Sequence, residues 1–353
     1  MKYILIQSND FKIKEIGKKL EGKGVKLIPI NSSPIILPFY IILYLLKYGK
    51  PSGIIYRYLN DYPSVVKSAI RTLSEVFGVI IALILNFKII WICHNIDRES
   101  HMHYPFLTKF RRWIFKRFSK KILVTDPLLI KYAKKQFPKQ KTKIDYITFG
   151  SYPSRNKGDK TQKTVEIIKE FVVYHNNRSD NNLFGFVAGN INWKTSQFSA
   201  IPKLIYESGR TKHNLRFIVI GPIGSYLKKY NYELYIKLNS DSNILFLDGY
   251  HELNLDQISN YIDFYWRVYL DLSIPATIYE SAYYKKPMVT QNIGFLGEAV
   301  SAYSLGFIID SDYTNLSDVL KGISKWNPVG AENFLKTHTW EKTANKFHDI
   351  ISK

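Results

Sequence analysis

Short aliphatic runs alternate with helical patterns along almost the whole chain, and this alternation constrains the fold more than any other feature. In the first half, helical patterns around residues 11–22, 64–85 and 127–137 lie between the strand candidates. The strand candidates are residues 3–6, 25–30, 53–58, 88–93, 122–124 and 144–147. Residues 88–93 are almost continuously apolar, as is typical of a parallel strand covered on both faces. The order predicts a parallel sheet with helices on both of its faces.

A second series of the same kind follows a polar segment. Residues 150–163 are rich in turn formers, a composition typical of a connection between domains. The strand candidates beyond it are residues 183–188, 215–220, 244–247, 264–269, 287–290 and 306–309. The 353 residues also exceed what one hydrophobic core usually organises. We therefore expect an α/β protein with two Rossmann-like, doubly wound domains facing a cleft, and a ligand at the carboxyl ends of the strands.

The net charge of +21, from 50 Lys and Arg against 29 Asp and Glu, implies a polyanionic partner. Nucleic acid and an anionic lipid surface both satisfy that charge. The sequence has no zinc-finger spacing and no aromatic RNA-binding signature, so we favour an anionic membrane surface and expect no nucleic-acid partner. A solvated basic surface that keeps the protein soluble stays open as an alternative. The single cysteine, Cys93, excludes an intramolecular disulfide and fits a reducing cytoplasm.

The apolar segments are too short to cross a membrane. The longest, residues 35–46 and 76–85, fall short of the roughly 20 residues of a spanning helix. The apolar run at the N-terminus is also too short for a signal peptide. These features predict a cytoplasmic protein, peripheral on the inner face of the cell membrane.

Residues 107–121 combine aromatic side chains at helical spacing with a dense group of basic ones. This composition is typical of a helix lying on an anionic surface, and it predicts membrane or acceptor contacts. The candidate contacts are Arg111, Arg112, Trp113, Lys116 and Arg117. The alternative is a helix that packs its apolar stripe on its own sheet. A second apolar segment, residues 34–46, is predicted to be buried in the core. If it were exposed, it would suit the tail of a polyprenyl-linked acceptor.

Candidate donor-binding residues follow two strands of the second series. Gly189 and Asn190 come directly after residues 183–188, and Lys194 is a cation suited to a diphosphate. Gly221 ends the next strand and would permit a close approach of a ligand. The dinucleotide pattern G-x-G-x-x-G is absent. A surface turn with a solvated lysine, and a plain strand-to-helix turn, are the respective alternatives.

Residues 273–290 predict a loop, a helix and a short strand. A helix that opens near Pro275 or Ala276 presents unpaired N–H groups, which suit phosphate, and Ala276 and Thr277 are candidate donor-binding residues there. Glu280 lies just over one turn inside that helix, where its carboxylate could accept hydrogen bonds from a ribose diol. Glu280 could equally be a partner of the helix dipole.

The order of motifs over residues 183–350 resembles the donor-binding half of family-4-type GT-B glycosyltransferases of bacterial polysaccharide assembly. Glu-Ser-Ala at 280–282 and Lys-Lys-Pro-Met-Val at 285–289 resemble the family's Glu-Ala pair and Gly-Lys-Pro-Val. Residues 292–300 resemble its Gly-Gly-x-x-Glu-x-Val loop, and residues 306–310 its Gly-Phe-Leu-Val strand. His-Thr-Trp-Glu-Lys at 338–342 resembles the opening of its last helix.

The resemblance implies a metal-independent hexosyltransferase that uses a UDP- or GDP-linked sugar and no cofactor. Its acceptor would be lipid-linked or a growing glycan. The family's architecture places an acceptor-binding domain at residues 1–163 and a nucleotide-sugar domain at residues 164–336. Residues 337–353 would form a helix returning to the first domain. Lys194 falls where the family has its diphosphate-binding lysine.

One departure from the family concerns its Glu-x7-Glu pair. The first glutamate would fall at Leu272, so only the second carboxylate, Glu280, is present. Pro275 also lacks a backbone N–H for the phosphate-facing loop. Two other functions therefore stay open: a GT-B-fold sugar-nucleotide epimerase, and a non-catalytic basic protein that binds lipid or nucleic acid and has a degenerate donor site.

In the first half, residues 88–93 end abruptly in a cluster of titratable groups. The cluster contains His94, Asp97 and Glu99, and its His-Asn pair resembles bacterial exopolysaccharide glycosyltransferases. An inverting enzyme needs a general base, and any of the three could serve. A retaining enzyme could use His94 to hold the donor sugar or its developing charge. A structural histidine at a strand end is the alternative.

Asp-Ser-Asp at 310–312 superficially matches the metal-binding Asp-x-Asp of GT-A enzymes. It follows a late strand, where the family has an ordinary acidic loop. We interpret it as structural and expect no metal.

Overall fold

The computed structural model describes residues 2–7, 9–30, 36–151, 159–191 and 197–352. The chain forms two six-stranded sheets and divides into two compact units. The first unit consists of residues 1–150, 272–274 and 337–353, and the second of residues 151–271 and 275–336.

The first unit is a parallel sheet with its strands in the order β2-β1-β3-β4-β5-β6. The strands are β1 Lys2–Gln7, β2 Val25–Ile30, β3 Gly53–Tyr56, β4 Lys88–Cys93, β5 Lys121–Val124 and β6 Ile144–Tyr146. The helices between them are α1 Phe11–Glu21, α2 Leu37–Tyr48, α3 Val65–Ile84, α4 Pro105–Phe118 and α5 Leu129–Gln136. A 3₁₀ segment, Pro138–Lys143, precedes β6.

The strand order decides which helices share a face of this sheet. The chain moves in one direction from β1 to β2 and in the opposite direction at every later step. Because parallel crossovers are right-handed, α1 covers one face and α2 to α5 cover the other. In agreement with this placement, α2 contacts α3 and α3 contacts α4. All of the strands end at the same edge of the sheet, which brings together the residues that follow them.

The second unit is a parallel sheet in the order β12-β11-β10-β7-β8-β9. Its strands are β7 Asn182–Ala188, β8 Asn214–Gly221, β9 Ile244–Asp248, β10 Phe264–Trp266, β11 Met288–Gln291 and β12 Gly306–Ile309. Its first helices are α6 Asp159–Asn176, α7 Gln197–Ser208, α8 Gly224–Tyr230, α9 Tyr232–Ser240 and α10 Leu255–Ile258. The 3₁₀ segment Ser259–Tyr261 follows, then α11 Thr277–Tyr283, α12 Gly294–Ala302, α13 Leu316–Ile323 and α14 Val329–Thr337.

The final helix, α15 Trp340–Ser352, belongs to the first unit and packs on α1. The ring of Trp340 lies 5.7 Å from that of Phe11 and 5.8 Å from that of Phe149. At the far end of α15, the carbonyl of Ile351 accepts a hydrogen bond of 2.7 Å from Lys88 Nζ. The predicted return of the last helix to the first domain is confirmed.

The predicted fold class is confirmed, and all twelve strands predicted from the sequence are present. Three strands end earlier than predicted: β3 at Tyr56, β6 at Tyr146 and β10 at Trp266. β4 is buried at every position except Lys88, as expected of a strand covered on both faces.

The prediction of a buried core segment at residues 34–46 is wrong for the part that is described. This segment forms most of α2, in which only Leu37 and Ile41 are buried. A helix on the surface of a sheet can turn only one side inward, and the opposite side of α2 exposes Phe39, Ile42, Leu43 and Leu46.

Gly150 tests the packing of α15 on the first unit. A Cβ at this position would lie 2.4 Å from Trp340 Cδ1 and Nε1, so Gly150→Ala should lower the free energy of unfolding by about 1–3 kcal/mol. Gly22→Ala is the matched control, because Gly22 has a helical φ of −61° and the nearest atom to its Cβ would be 3.7 Å away. Urea unfolding measures both changes. Equal midpoints for the two variants would contradict this packing.

Candidate functional site

His94, the first residue after β4, is held between two aromatic rings. Its ring stacks on Tyr58, with 4.2 Å between centroids and 14° between planes, and it lies 5.9 Å from the ring of Phe149. Arg57 Nε donates a hydrogen bond of 3.4 Å to His94 Nε2. These residues follow β3, β4 and β6, so the shared edge of the parallel sheet assembles the cluster from distant parts of the chain.

Arg57 is fixed by its own partners. Its side chain is buried, and Nη1 lies 2.9 Å from Asp10 Oδ2. Its backbone N–H donates to Gln7 Oε1 at 3.2 Å. Asp10 also caps α1 by accepting a hydrogen bond from the backbone N–H of Ile13. The histidine therefore rests on a rigid support, as an active-site group requires.

The two predicted carboxylates near His94 have different environments. Glu99 is buried, and its Oε1 lies 2.7 Å from Arg112 Nη1. Arg112 also donates to the backbone carbonyls of Asn95 and Ile96. This pair anchors the loop after β4, and the catalytic role of Glu99 stays a prediction. Asp97 is half-buried, and its Oδ1 has no hydrogen-bond partner among the described residues.

The prediction that Arg111 and Arg112 contact a membrane is wrong, because both side chains are buried. Arg111 Nη2 lies 2.6 Å from Asp61 Oδ1, and its Nη1 lies 3.6 Å from Glu75 Oε2. A buried guanidinium needs a carboxylate partner, and the inward side of α4 supplies these two arginines to carboxylates of the first unit.

The other predicted contacts of α4 lie further out. Trp113 and Arg117 are exposed. Lys116 is half-buried, with Nζ 5.4 Å from the centroid of the Phe137 ring. Burial, followed by the nearby Arg112 charge, lowers the pKa of Lys116. The basic residues of α4 thus form two groups. Arg111 and Arg112 are buried and paired with carboxylates, whereas Lys116 and Arg117 lie further out.

In the second unit, Gly189 follows β7 with a φ of 130°, and Gly221 ends the neighbouring β8 with a φ of 155°. A Cβ on Gly221 would lie 2.1 Å from the carbonyl oxygen of Gly189, so the strand ends can approach only without a side chain there. In the turn between Gly221 and α8, the backbone N–H of Gly224 donates a hydrogen bond of 2.8 Å to Asp248 Oδ1. The start of α8 is thereby capped within the chain itself.

Arg267, which the sequence analysis missed, lies beside these strand ends. Its Nη1 donates to the carbonyl of Ala188 at 2.8 Å, and its guanidinium lies 5.0 Å from the centroid of the Tyr269 ring. The side chain is buried, and its Nε has no hydrogen-bond partner among the described residues. The signal was a lone arginine within the apolar run Phe-Tyr-Trp-Arg-Val-Tyr, because a charge in an apolar run that is expected to be buried requires a reason.

Glu280 lies in the first turn of α11 and is electrostatically coupled to Arg267. Burial raises the pKa of Glu280 to about 7, and the charge of Arg267 opposes that shift. Burial, with the charge of Glu280 second, also raises the pKa of the Tyr265 hydroxyl well above its usual value. A carboxyl whose pKa is shifted by burial and that has a charged partner is typical of functional sites.

The remaining predicted donor-site residues are placed as follows. Ala276 is exposed and Thr277 is half-buried, at the start of α11. Asn190 is exposed after β7. Lys194 lies outside the described residues.

Comparison with solved structures shows the architecture to be a known one. HepE from Anabaena, in complex with UDP and glucose, matches with a TM-score of 0.62 and 12% identity over all of both chains. WaaG, a glycosyltransferase involved in lipopolysaccharide biosynthesis, matches with a TM-score of 0.57 and 13% identity over 99% of both chains. The chain has the GT-B fold. At such low identity the similarity concerns the fold alone.

The GT-B fold is also that of UDP-GlcNAc 2-epimerase from Methanocaldococcus jannaschii. That structure matches with a TM-score of 0.53 and 15% identity, over 100% of this chain and 99% of the other. No protein-family model and no curated protein sequence matches the chain.

Within the described part of the chain, no three His, Cys, Asp or Glu side chains form a group that could hold a metal ion. Asp312 of the Asp-Ser-Asp triplet instead accepts hydrogen bonds from the backbone N–H and the hydroxyl of Thr314. The hydrogen bonds from Thr314 lower the pKa of this carboxyl. These contacts are those of a structural turn.

The raised pKa of Glu280 predicts a pH-dependent cost in stability. The folded state binds this proton more tightly than the unfolded state, so wild-type stability falls as pH rises from about 4.5 through 7. Glu280→Gln removes the titration, and its stability relative to wild type should increase by up to about 3 kcal/mol between pH 5 and 8. Urea unfolding across this range measures the difference.

Glu332→Gln is the control for that experiment. Glu332 is exposed, and the hydrogen bond from Lys285 lowers its pKa, so the effect of this substitution should change only below about pH 5. Stability curves of wild type and Glu280→Gln that run parallel from pH 5 to 8 would rule out the assigned environment of Glu280.

Proposed function

We propose that this chain is a glycosyltransferase that transfers a hexose from a UDP- or GDP-linked donor to a lipid-linked or growing polysaccharide acceptor. It would act at the cytoplasmic face of a membrane, without a metal ion. The observation that carries the proposal is Arg267, which lies beside the strand ends at Gly189 and Gly221 and whose charge acts on Glu280, a carboxyl with a pKa of about 7. Ligands of open parallel sheets bind at this edge.

The donor roles follow from the chemistry of these groups. Arg267 has an unpartnered Nε and a charge suited to a diphosphate, and the proposal adds Lys194 as a second cation. Glu280 in its ionised form accepts hydrogen bonds from two ribose hydroxyls. Gly189 and Gly221 present backbone without side chains to the ligand. The two cations would stabilise the negative charge that develops on the leaving diphosphate.

The transfer step forms a bond between an acceptor oxygen and the anomeric carbon, while the bond from that carbon to the diphosphate breaks. The acceptor hydroxyl must also lose its proton. Asp97 has an unused carboxylate oxygen, which makes it the better base of the two carboxylates near His94. His94, fixed between Tyr58 and Phe149, would orient the sugar or the acceptor.

Binding of UDP and GDP tests the donor site. Glu280→Ala, Arg267→Gln and Lys194→Ala should each weaken binding of the preferred nucleotide about 10- to 100-fold, because each removes a hydrogen bond to a charged group. Glu332→Ala and Arg210→Gln are the controls, since both residues are exposed in the same unit and should leave binding unchanged. Titration calorimetry measures the affinities. The assignment fails if neither nucleotide binds or if the site variants bind as wild type does.

Turnover tests the first unit. Asp97→Asn and His94→Gln should lower kcat about 100- to 10,000-fold while nucleotide affinity stays unchanged, because they alter proton transfer or positioning and leave the donor site intact. The exposed His101→Gln is the control. The readout is release of free UDP or GDP from a panel of nucleotide sugars with a polyprenyl-linked acceptor. Full activity of both variants would remove the cluster from the mechanism.

The same experiments separate the two rival functions. An epimerase, as in the solved structure from Methanocaldococcus jannaschii, would convert a nucleotide sugar without an acceptor and without release of nucleotide. A non-catalytic lipid- or nucleic-acid-binding protein would give neither nucleotide binding nor turnover.

A further inference from the structure

Helix α3 turns its polar side inward and its apolar side outward, which is the reverse of a usual surface helix. Its buried positions include several polar and small residues: Ser68, Arg71, Thr72, Ser74, Glu75 and Gly78. Its exposed positions form a stripe at spacings of three and four residues: Val66, Ile70, Leu73, Phe77, Ile80 and Ile84. One side of the helix is therefore an unbroken apolar stripe in contact with solvent.

Paired charges hold α3 in this orientation. Glu75 Oε1 accepts hydrogen bonds from Arg71 Nε at 2.9 Å and from Gln7 Nε2 at 3.1 Å. Arg71 also donates to the backbone carbonyls of Asn60 and Tyr58, each at 2.6 Å. Rotating α3 so that the apolar stripe faced inward would break these hydrogen bonds. The apolar side chains of the stripe could not form new ones in their place. The hydrogen bonds of Arg71 and Glu75 thus fix the outward orientation of the stripe.

The neighbouring helices extend the stripe into a continuous surface. α2 and α4 lie on either side of α3 on the same face of the sheet, and both expose large apolar residues. The exposed fractions are 65% for Phe39, 56% for Phe77 and 79% for Phe106. We name this surface the apolar face. It consists of the α3 stripe together with Phe39, Ile42, Leu43, Leu46, Phe106, Phe110 and Trp113.

The charges around the apolar face are positive. α2 and α4 contain no acidic residue, and the only one in α3, Glu75, is buried. Exposed cations border the face instead, at Lys47, Lys67, Lys109 and Arg117. If a second copy of the chain docked on this face, its cations would lie near those of the first copy. The three helices offer no exposed carboxylates to neutralise them, so Coulomb repulsion opposes this association. An anionic lipid surface offers both the apolar layer and the complementary charge.

We propose that the apolar face inserts into the interface of an anionic lipid bilayer, with α2, α3 and α4 lying along the membrane surface. None of the helices in the described part of the chain combines the length and the hydropathy of a transmembrane span. The apolar side chains enter the boundary between headgroups and acyl chains, and the bordering cations meet the phosphates. This inference deepens the proposed function by naming the surface that brings the chain to a lipid-linked acceptor.

Vesicle flotation tests this inference without nucleotide. The probes are vesicles of phosphatidylcholine alone and of phosphatidylcholine mixed with phosphatidylglycerol. Wild type should float with the anionic vesicles and much less with the neutral ones. The triple variant Leu73→Gln, Phe77→Gln, Ile80→Gln should lose binding at least about tenfold, because three inserted side chains become polar. A matched triple in the second unit, with Tyr206, Tyr230 and Tyr250 each changed to Gln, should bind as wild type does.

A second measurement keeps the test valid if the triple variant folds poorly. Lipids brominated in their acyl chains should quench tryptophan fluorescence of the wild type, and Trp113→Phe should lose a part of that quenching. Quenching that is the same in wild type and Trp113→Phe, or undiminished flotation of the folded triple variant, overturns the proposal. Self-association in sedimentation velocity that the triple variant abolishes, without any flotation of wild type, also overturns it in favour of a second copy.

The two proposals fail separately. Flotation without UDP or GDP binding would leave the membrane surface standing and reject the donor site. Nucleotide binding without flotation would leave the donor site standing and reject the membrane surface.

Discussion

The pairing of buried charges beneath α3 determines more of the first unit than any other interaction. Glu75 accepts hydrogen bonds from Arg71 and Gln7, and Arg111 forms ion pairs with Asp61 and Glu75. Removing one partner from such a buried pair costs about 3–5 kcal/mol, because the other charge is then left unpaired. The pairing therefore fixes the rotation of α3 about its own axis, and with it the direction in which the apolar stripe faces.

The same pairing reaches the histidine cluster. Gln7 donates to Glu75 and also accepts the backbone N–H of Arg57, whose side chain bonds His94. One connected set of polar contacts thus links the inner side of α3 to the edge of the sheet where His94 lies. We infer that the outward apolar stripe and the rigid histidine have a common structural cause.

The second unit places its charges differently. Arg267 and Glu280 lie at the edge of the sheet, and desolvation, which raises the pKa of Glu280, makes its ionised form costly. Under the proposed function, a ligand that binds the ionised carboxylate would offset this cost. The glycines at the ends of β7 and β8 serve the same edge, because they let the strand ends come together without side chains.

The sequence by itself determined the fold class and the strands, because a parallel sheet needs continuous apolar runs separated by helices, and those runs are local patterns. It also predicted His94 as a site residue from its position at the end of a strand, and Glu280 from its position just inside a helix and from the family resemblance. Only the tertiary structure showed the burial and the contacts of Arg111, Arg112 and Arg267. Helical spacing shows that α4 has basic and apolar positions, but it does not show that Asp61 and Glu99 lie on its inner side and pair with two of its arginines. Which face of a helix turns inward depends on such distant partners, and for α3 those partners made the inner face the polar one.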